Sequence, residues 1–344
     1  MSDSVLPVGK LPPEILMKLL SKTSIQDHRV LLGPGVGLDC AILEPGENLL
    51  VIKTDPVTFA TDEIGWYLVQ ITANDLATTG ASPRWLLVTM LLPEGSTTPE
   101  LVEKISDQIF QACRPIGVQV IGGHTEITAG IPRPILVGAM LGEVERDRLV
   151  LPTGARPGNR ILLTKGVPIE ATAILARELG GRLEGALTGE EIRRAQQFLY
   201  HPGISVLKDA HTAIQAGRVT AMHDPTEGGI ATALWELSEA SGCTLLVEVS
   251  KIAIPSLSQR ICERLGIDPL GAISSGSLLL TVEDGDQSAV IQALEDVGIV
   301  CMEIGRVEGG PPVVLRDTRN GREQLPRPPR DEIARLFEVP PISN

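Results

Sequence analysis

Asp62-Glu-Ile-Gly-Trp-Tyr-Leu-Val-Gln-Ile71-Thr-Ala-Asn74-Asp75-Leu-Ala-Thr-Thr79-Gly80-Ala81 is the stretch whose reading decides the fold. Asp62 is a good helix N-cap and Gly80 a stop, so the pattern predicts a helix between them. Its apolar stripe runs through Ile64, Leu68 and Ile71; three and four residues further on it reaches Asn74 and Asp75. An amide and a carboxylate therefore continue the face that should be buried. A buried carboxylate without partners costs several kcal/mol, so Asp75 needs a cation, a set of donors or a metal. Three readings stay open: a ligand position, half of a structural salt bridge, or a stripe that rotates and leaves Asp75 wet.

Outward from this helix, Leu49–Thr54, Trp85–Leu92, Val118–Ile121 and Ile135–Leu141 are short, apolar and bounded by turn residues, and read as strands. A second helix starts at Thr98-Pro99, a cap followed by a first-turn proline, and ends before Gly117. Such alternation marks an α/β or α+β fold. The turn-dense run Leu151–Gly158 is the expected boundary between a domain over 1–155 and another over 156–344. The second is expected to hold strands at Arg160–Thr164, Val219–Met222 and Thr244–Val249, then a strand–helix–strand unit from Ser277 to Arg306. Its other helices fall at Ile169–Leu179, Glu190–Leu199, Ile204–Ala216 and Gly229–Ala240. The tail after Gly309, rich in Pro and Arg, is expected to wrap the surface.

Three polar clusters each follow one of these strands: Thr54-Asp55, Gly122-Gly123-His124-Thr125-Glu126, and His223-Asp224-Pro225-Thr226-Glu227-Gly228-Gly229. Loops at the carboxyl ends of strands collect ligands in open α/β sheets. Paired glycines let backbone N–H groups approach an anion closely. Each cluster taken alone is equally readable as a turn. Asp55, at a neighbouring strand end, is placed to converge with Asp75, and hard oxygen ligands of this kind suit Mg²⁺ bridging nucleotide phosphates. Gly33-Pro34-Gly35-Val36-Gly37-Leu38-Asp39 is glycine-rich but neither a P-loop nor a dinucleotide fingerprint. Lys53 and Lys165, on or beside strands near the expected cleft, read as snorkelling edge residues ahead of phosphate ligands. The five histidines show no metal-like spacing; His124 and His223 are the two placed to meet a substrate.

Composition narrows the class. The chain has 344 residues, of which 43% are hydrophobic and 21% charged, enough for a sizeable core. With 43 acidic against 30 basic side chains, a net charge of −13 and 3% aromatics, it lacks what sequence-independent nucleic-acid binding requires. The five scattered cysteines form neither a zinc pattern nor a disulfide framework. No secretory signal and no apolar run long enough for a bilayer are visible, so a cytoplasmic location without membrane contact is expected.

In this order, the Gly-rich loop with Asp39, Thr54-Asp55, Asn74-Asp75-Leu76-Ala77, Gly122-Gly123-His124-Thr125 and Asp224-Pro225-Thr226-Glu227-Gly228-Gly229 resemble the aminoimidazole ribonucleotide (AIR) synthetase superfamily. The Asp-Pro-Thr-x-Gly-Gly stretch and the Asp62–Ala77 helix are most similar to its HypE branch. The resemblance covers roughly residues 8–310 and implies a two-domain PurM-like α/β fold, with N-terminal domains pairing into a dimeric β-barrel. It implies ATP and Mg²⁺ in a cleft near that interface, with Asp39, Asp55 and Asp75 as metal ligands. Gly35, Gly37, Thr54, Gly122, Gly123, Thr125, Glu126, Gly228 and Gly229 would contact the nucleotide, and Asn74, Asp75, His124 and Asp224 would be catalytic. The shared chemistry is ATP-dependent phosphorylation of an amide or carbonyl oxygen on a small-molecule or protein-borne substrate, which then leaves as phosphate. A small-metabolite kinase of the thiamine-monophosphate kinase type, or a nucleotide-binding scaffold, is the alternative. Three departures qualify the resemblance. HypE proper ends in a cysteine, whereas this sequence ends Pro340-Pro341-Ile342-Ser343-Asn344, so the HypE reaction is not expected on its own tail. Leu38 stands where relatives often carry a second aspartate, and His124 where an acid is common.

Overall fold

The computed structural model describes Met17 and residues 27–33, 35, 38, 40–57, 60–318 and 321–337. The first half builds a six-stranded sheet from β1 (Val30–Leu32), β2 (Ala41–Leu43), β3 (Leu49–Val57), β4 (Ser82–Pro93), β5 (Gln119–Thr128) and β6 (Ile135–Val144), in the order β1-β2-β3-β6-β4-β5. Only the β4–β5 pair is parallel. Burial alternates strictly along β6, with Leu136, Met140 and Val144 covered and Val137, Ala139 and Leu141 half-exposed. One face therefore packs under helices and the other stays open. The covering helices are α1 (Ile64–Ala77) and α2 (Pro99–Cys113), the latter capped as expected by the Thr98 hydroxyl, which accepts from Leu101 N at 3.3 Å.

The second half forms a seven-stranded sheet in the order β13-β12-β9-β11-β7-β10-β8, from β7 (Arg160–Thr164), β8 (Val219–His223), β9 (Thr244–Val247), β10 (Leu279–Val282), β11 (Cys301–Glu308), β12 (Val313–Thr318) and β13 (Gly321–Gln324). β9 and β10 are buried at every position, the mark of strands covered on both faces. Around them lie α3 (Ile169–Glu178), α4 (Gly189–Gln196), α5 (Leu207–Ala216), α6 (Gly229–Ser241), α7 (Ser256–Leu265) and α8 (Gln287–Asp296). The tail does not merely wrap the surface: β12 adds in parallel to β9 and β13 extends the edge. No reading of the sequence anticipated α7.

The halves share a core. One apolar cluster joins Ile64, Tyr67, Leu68 and Leu76 of α1 to Ile169, Leu175, Leu199 and Ile261 of the second half. This explains why α1 is buried all round apart from Trp66. It also corrects the cap reading. Glu63 holds the N-cap position in the left-handed region (φ 57) and offers no side-chain cap. Glu178 of α3 accepts instead from Thr61 N (3.2 Å), Thr61 Oγ1 (2.8 Å) and Asp62 N (3.4 Å). Asp62 pairs with Arg177, Nη1 to Oδ2 at 2.5 Å.

Candidate functional site

Asn74 and Asp75 are both buried, as the stripe requires, yet they do different things. Lys53 Nζ lies 3.2 Å from Asp75 Oδ2, an ion pair between β3 and α1 with both side chains largely covered. Lys53 is thus no snorkelling edge residue. Asn74 forms a two-pronged clamp on the second half: Nδ2 donates to Ile204 O (2.7 Å) and Oδ1 accepts from Val206 N (2.8 Å). With these backbone groups engaged, α5 begins at Leu207 rather than Ile204. The amide expected to be catalytic instead joins the two halves.

The first two polar clusters are not loops. Thr54 and Asp55 sit inside β3, where successive side chains point to opposite faces. Asp55 shares the α1 side with Lys53, one pleat along, while Thr54 is exposed on the open face. Gly122–Glu126 lies within β5, the edge strand of the sheet, and is exposed throughout. A Cβ on Gly123 would fall 1.9 Å from Val88 O, so strand contact alone demands glycine there. His124 Nε2 and Glu126 Oε2 pair at 3.1 Å on this exposed edge. Beside them a cavity of about 260 Å³ opens between β5 and α2, lined by Met90, Ile109, Phe110, Gly123, His124 and Thr125.

The third cluster does follow its strand. Asp224 is fully buried at the end of β8; His223 before it meets Glu236 (Nε2 to Oε2, 3.0 Å) and the Asp224 carbonyl (Nδ1, 2.9 Å). The glycine amides expected to hold a nucleotide are already engaged. Gly228 N donates to Asp331 Oδ2 at 2.6 Å, and Gly229 N to Thr226 O at 2.9 Å. Gly229 is required by packing, since a Cβ would meet Leu270 O at 2.5 Å and Ala272 O at 2.6 Å. Asp39 and Gly37 lie outside the described residues. Gly35 forms an isolated bridge with Leu38. No three His, Cys, Asp or Glu side chains among the described residues cluster as a metal site.

At one end of the second sheet, where β7 and β8 finish and β10 begins, lie Lys165, which is no snorkelling edge residue, and Glu170 and Asp331, which sequence reasoning missed. Lys165 Nζ bonds Asp209 Oδ2 (3.0 Å), Ser205 O (2.6 Å) and Gly276 O (2.9 Å), while burial pulls its pKa down. Glu170, buried in the first turn of α3, accepts from Ser275 N at 3.2 Å. Burial pushes its carboxyl up to about 8; the Ser275 hydroxyl and amide oppose this, and the Asp331 and Asp224 carboxylates reinforce it. Burial likewise raises Asp331 to about 7, against the pull of the Gly228 and Ile333 amides. The one signal for Glu170 was an acid inside the apolar run Ile169–Leu175.

A pH dependence follows. Glu170 keeps its proton up to about pH 8 when folded, against an ordinary value of 4.5. Its contribution to stability is complete below that ordinary value and is lost as pH rises through the folded one, by a few kcal/mol at most. Glu170→Gln, an uncharged isostere, should therefore be more stable than wild type at pH 8.5 and flatten the decline from pH 5. Denaturant titrations across that range check this, and parallel profiles for the two proteins would refute it.

All five cysteines are buried, and none is in a disulfide. Burial pushes the thiols of Cys113, Cys262 and Cys301 up to about 11, 12 and 12. Among the described residues no helix is long and apolar enough to cross a membrane.

Two α/β sheets share one core, with a largely covered Lys53–Asp75 pair between β3 and α1 and buried acids at one end of the second sheet, and the fold is PurM-like. Residues 37–144 match the N-terminal domain, and residues 156–318 the C-terminal domain, of the AIR synthase related proteins, and the chain belongs to that family. It is 28% identical over 340 residues (95% of each chain) to a Methanocaldococcus jannaschii protein provisionally described as a hydrogenase expression/formation protein. It is 29% identical over 310 residues (83% of this chain, 84% of the other) to the carbamoyl dehydratase HypE of Cupriavidus necator. Two solved structures share its fold. One comes from a HypE–HypF complex (TM-score 0.73, 20% identity, 91% of this chain and 99% of the other). The other is HypE with ATP (TM-score 0.70, 21% identity, 92% and 91%).

Proposed function

We propose that the protein is an ATP-dependent enzyme of the carbamoyl-dehydratase type, activating an amide or carbonyl oxygen by phosphorylation. The observation that carries this reading is the Lys53–Asp75 pair with Asp55 on the same strand face, in a chain similar over most of its length to carbamoyl dehydratase HypE. The substrate oxygen attacks the γ-phosphorus and ADP leaves with the bridging oxygen. The carbon–oxygen bond then breaks, releasing phosphate, while an amide nitrogen gives up its protons. Such chemistry needs positioning and charge neutralisation rather than a protein nucleophile, which suits a chain whose five cysteines are all buried. Lys53, paired with Asp75, would be the cation that meets phosphate oxygens. Asp55 and Asp75, with Asp39, would hold Mg²⁺ through hard carboxylate oxygens, and the ion would neutralise charge on nucleotide phosphates. Asp224 and His124 are the further groups for proton handling. Measuring ADP release with carbamoyl and amide substrates, wild type against Asp75→Ala, tests the reading. No Mg-ATP binding by calorimetry would overturn it.

The partners proposed are a HypF-like protein, as in the HypE–HypF complex, and a second copy of the chain. Leu50, Ile52, Val137 and Leu141 are half-exposed and Leu87 exposed on the open face of the first sheet, and a facing sheet would cover them. Leu87→Glu should shift the chain from dimer to monomer in analytical ultracentrifugation; an unchanged sedimentation coefficient would count against this face.

A further inference from the structure

Residues 325–337 cross the second half as a strap. Glu332 N donates to Gly271 O (3.1 Å), Glu332 Oε2 accepts from Asp268 N (3.2 Å), and the Arg327 guanidinium lies 4.3 Å from the Trp235 ring centroid on α6. Ile333 and Ala334 enter the shared apolar core. Between these anchors Asp331 is buried and turned towards the start of α6. Its Oδ2 accepts from Gly228 N at 2.6 Å and its Oδ1 from Ile333 N at 2.9 Å.

Anchoring alone does not call for this residue. Ile333, Ala334 and Arg327 already hold the strap, and a buried carboxylate near Asp224, Glu227 and Glu170 is an unfavourable choice for stability. What the carboxylate adds is local. It fills the anion position at a helix N-terminus and so fixes the turn Asp224–Gly229 that leads into α6. We propose that Asp331 is a positioning residue: it presets this turn, holds Asp224 at the end of β8, and couples the strap to the candidate site. The proposal rests on the proposed function only through the role given to Asp224.

Hydrogen exchange on the full chain without nucleotide tests the coupling. In Asp331→Ala, segments 225–233 and 326–337 should lose protection together while β7 and β10 keep theirs. Asp331→Asn, which keeps one oxygen for Gly228 N, should fall between Asp331→Ala and wild type. In Mg-ATP hydrolysis, kcat should drop at least tenfold in Asp331→Ala with KM within twofold, and Asp331→Asn should recover part of the loss. A turn that stays protected while the strap loosens would overturn the proposal, as would wild-type kcat in a protein whose turn has loosened. Should Asp331→Ala not accumulate as folded protein, Asp331→Ser poses the same question. The exchange result needs no nucleotide, so failure of the positioning role is distinguishable from failure of the ATP reading.

Discussion

Asp75→Asn is expected to hydrolyse Mg-ATP at least about 100-fold more slowly than wild type, the usual scale for removing one preorganised charge contact to the reacting group. Single replacements cannot tell a functional carboxylate from half of a structural pair, because the Lys53–Asp75 contact of 3.2 Å is largely covered. Lys53→Met or Asp75→Leu alone strips one partner from a buried pair, which costs about 3–5 kcal/mol. The double variant removes both charges and should regain most of that stability, because a well-packed apolar pair is often as good as a buried ion pair. Activity should not return with it. Urea midpoints read the first effect and ADP release the second. A double variant that is stable and still turns over Mg-ATP would make the pair structural only.

Asn74→Ala should be among the most destabilising substitutions in the chain. It removes both hydrogen bonds of the clamp and leaves Ile204 O and Val206 N facing an apolar methyl across the junction of the halves. Two such losses in a buried setting amount to roughly 2–5 kcal/mol. Asn74→Asp should be no better: it keeps the acceptor for Val206 N but points a carboxylate oxygen at the Ile204 carbonyl. The lowered denaturant midpoint should come with hydrogen-exchange loss at 204–208 before β7 or β10 opens. Wild-type stability in Asn74→Ala would show that the shared apolar core alone holds the halves together.

The strongest sequence inferences came from periodicity and caps. The stripe through Ile64, Leu68 and Ile71 put Asn74 and Asp75 on the apolar face, though it left open whether Asp75 stays wet, and Thr98-Pro99 marked the start of α2; both follow from local geometry. The clusters at 54–55 and 122–126 misled because Gly, Asp and Thr are turn residues by local preference. Here, pairing of β3 with β6 and of β5 with β4 carries the strands through them. The glycines at 228 and 229 were legible as special, but what they meet inside the fold was not. Backbone contacts and an internal carboxylate occupy them, and Asp331 lies about a hundred residues away.

The acidic residues of a chain with net charge −13 were visible as candidates from the start, and their order along the chain pointed to an AIR-synthase-like fold. By itself, then, the sequence determined the α/β class and the apolar stripe that Asn74 and Asp75 continue. Only the tertiary structure decided that Asp75 faces Lys53, that Asn74 clamps the second half, and that Glu170 and Asp331 share a buried acidic neighbourhood. The reason is physical. Periodicity within one element says which face is buried. What a buried polar group meets is set by elements distant in the sequence, and its charge state follows from that meeting.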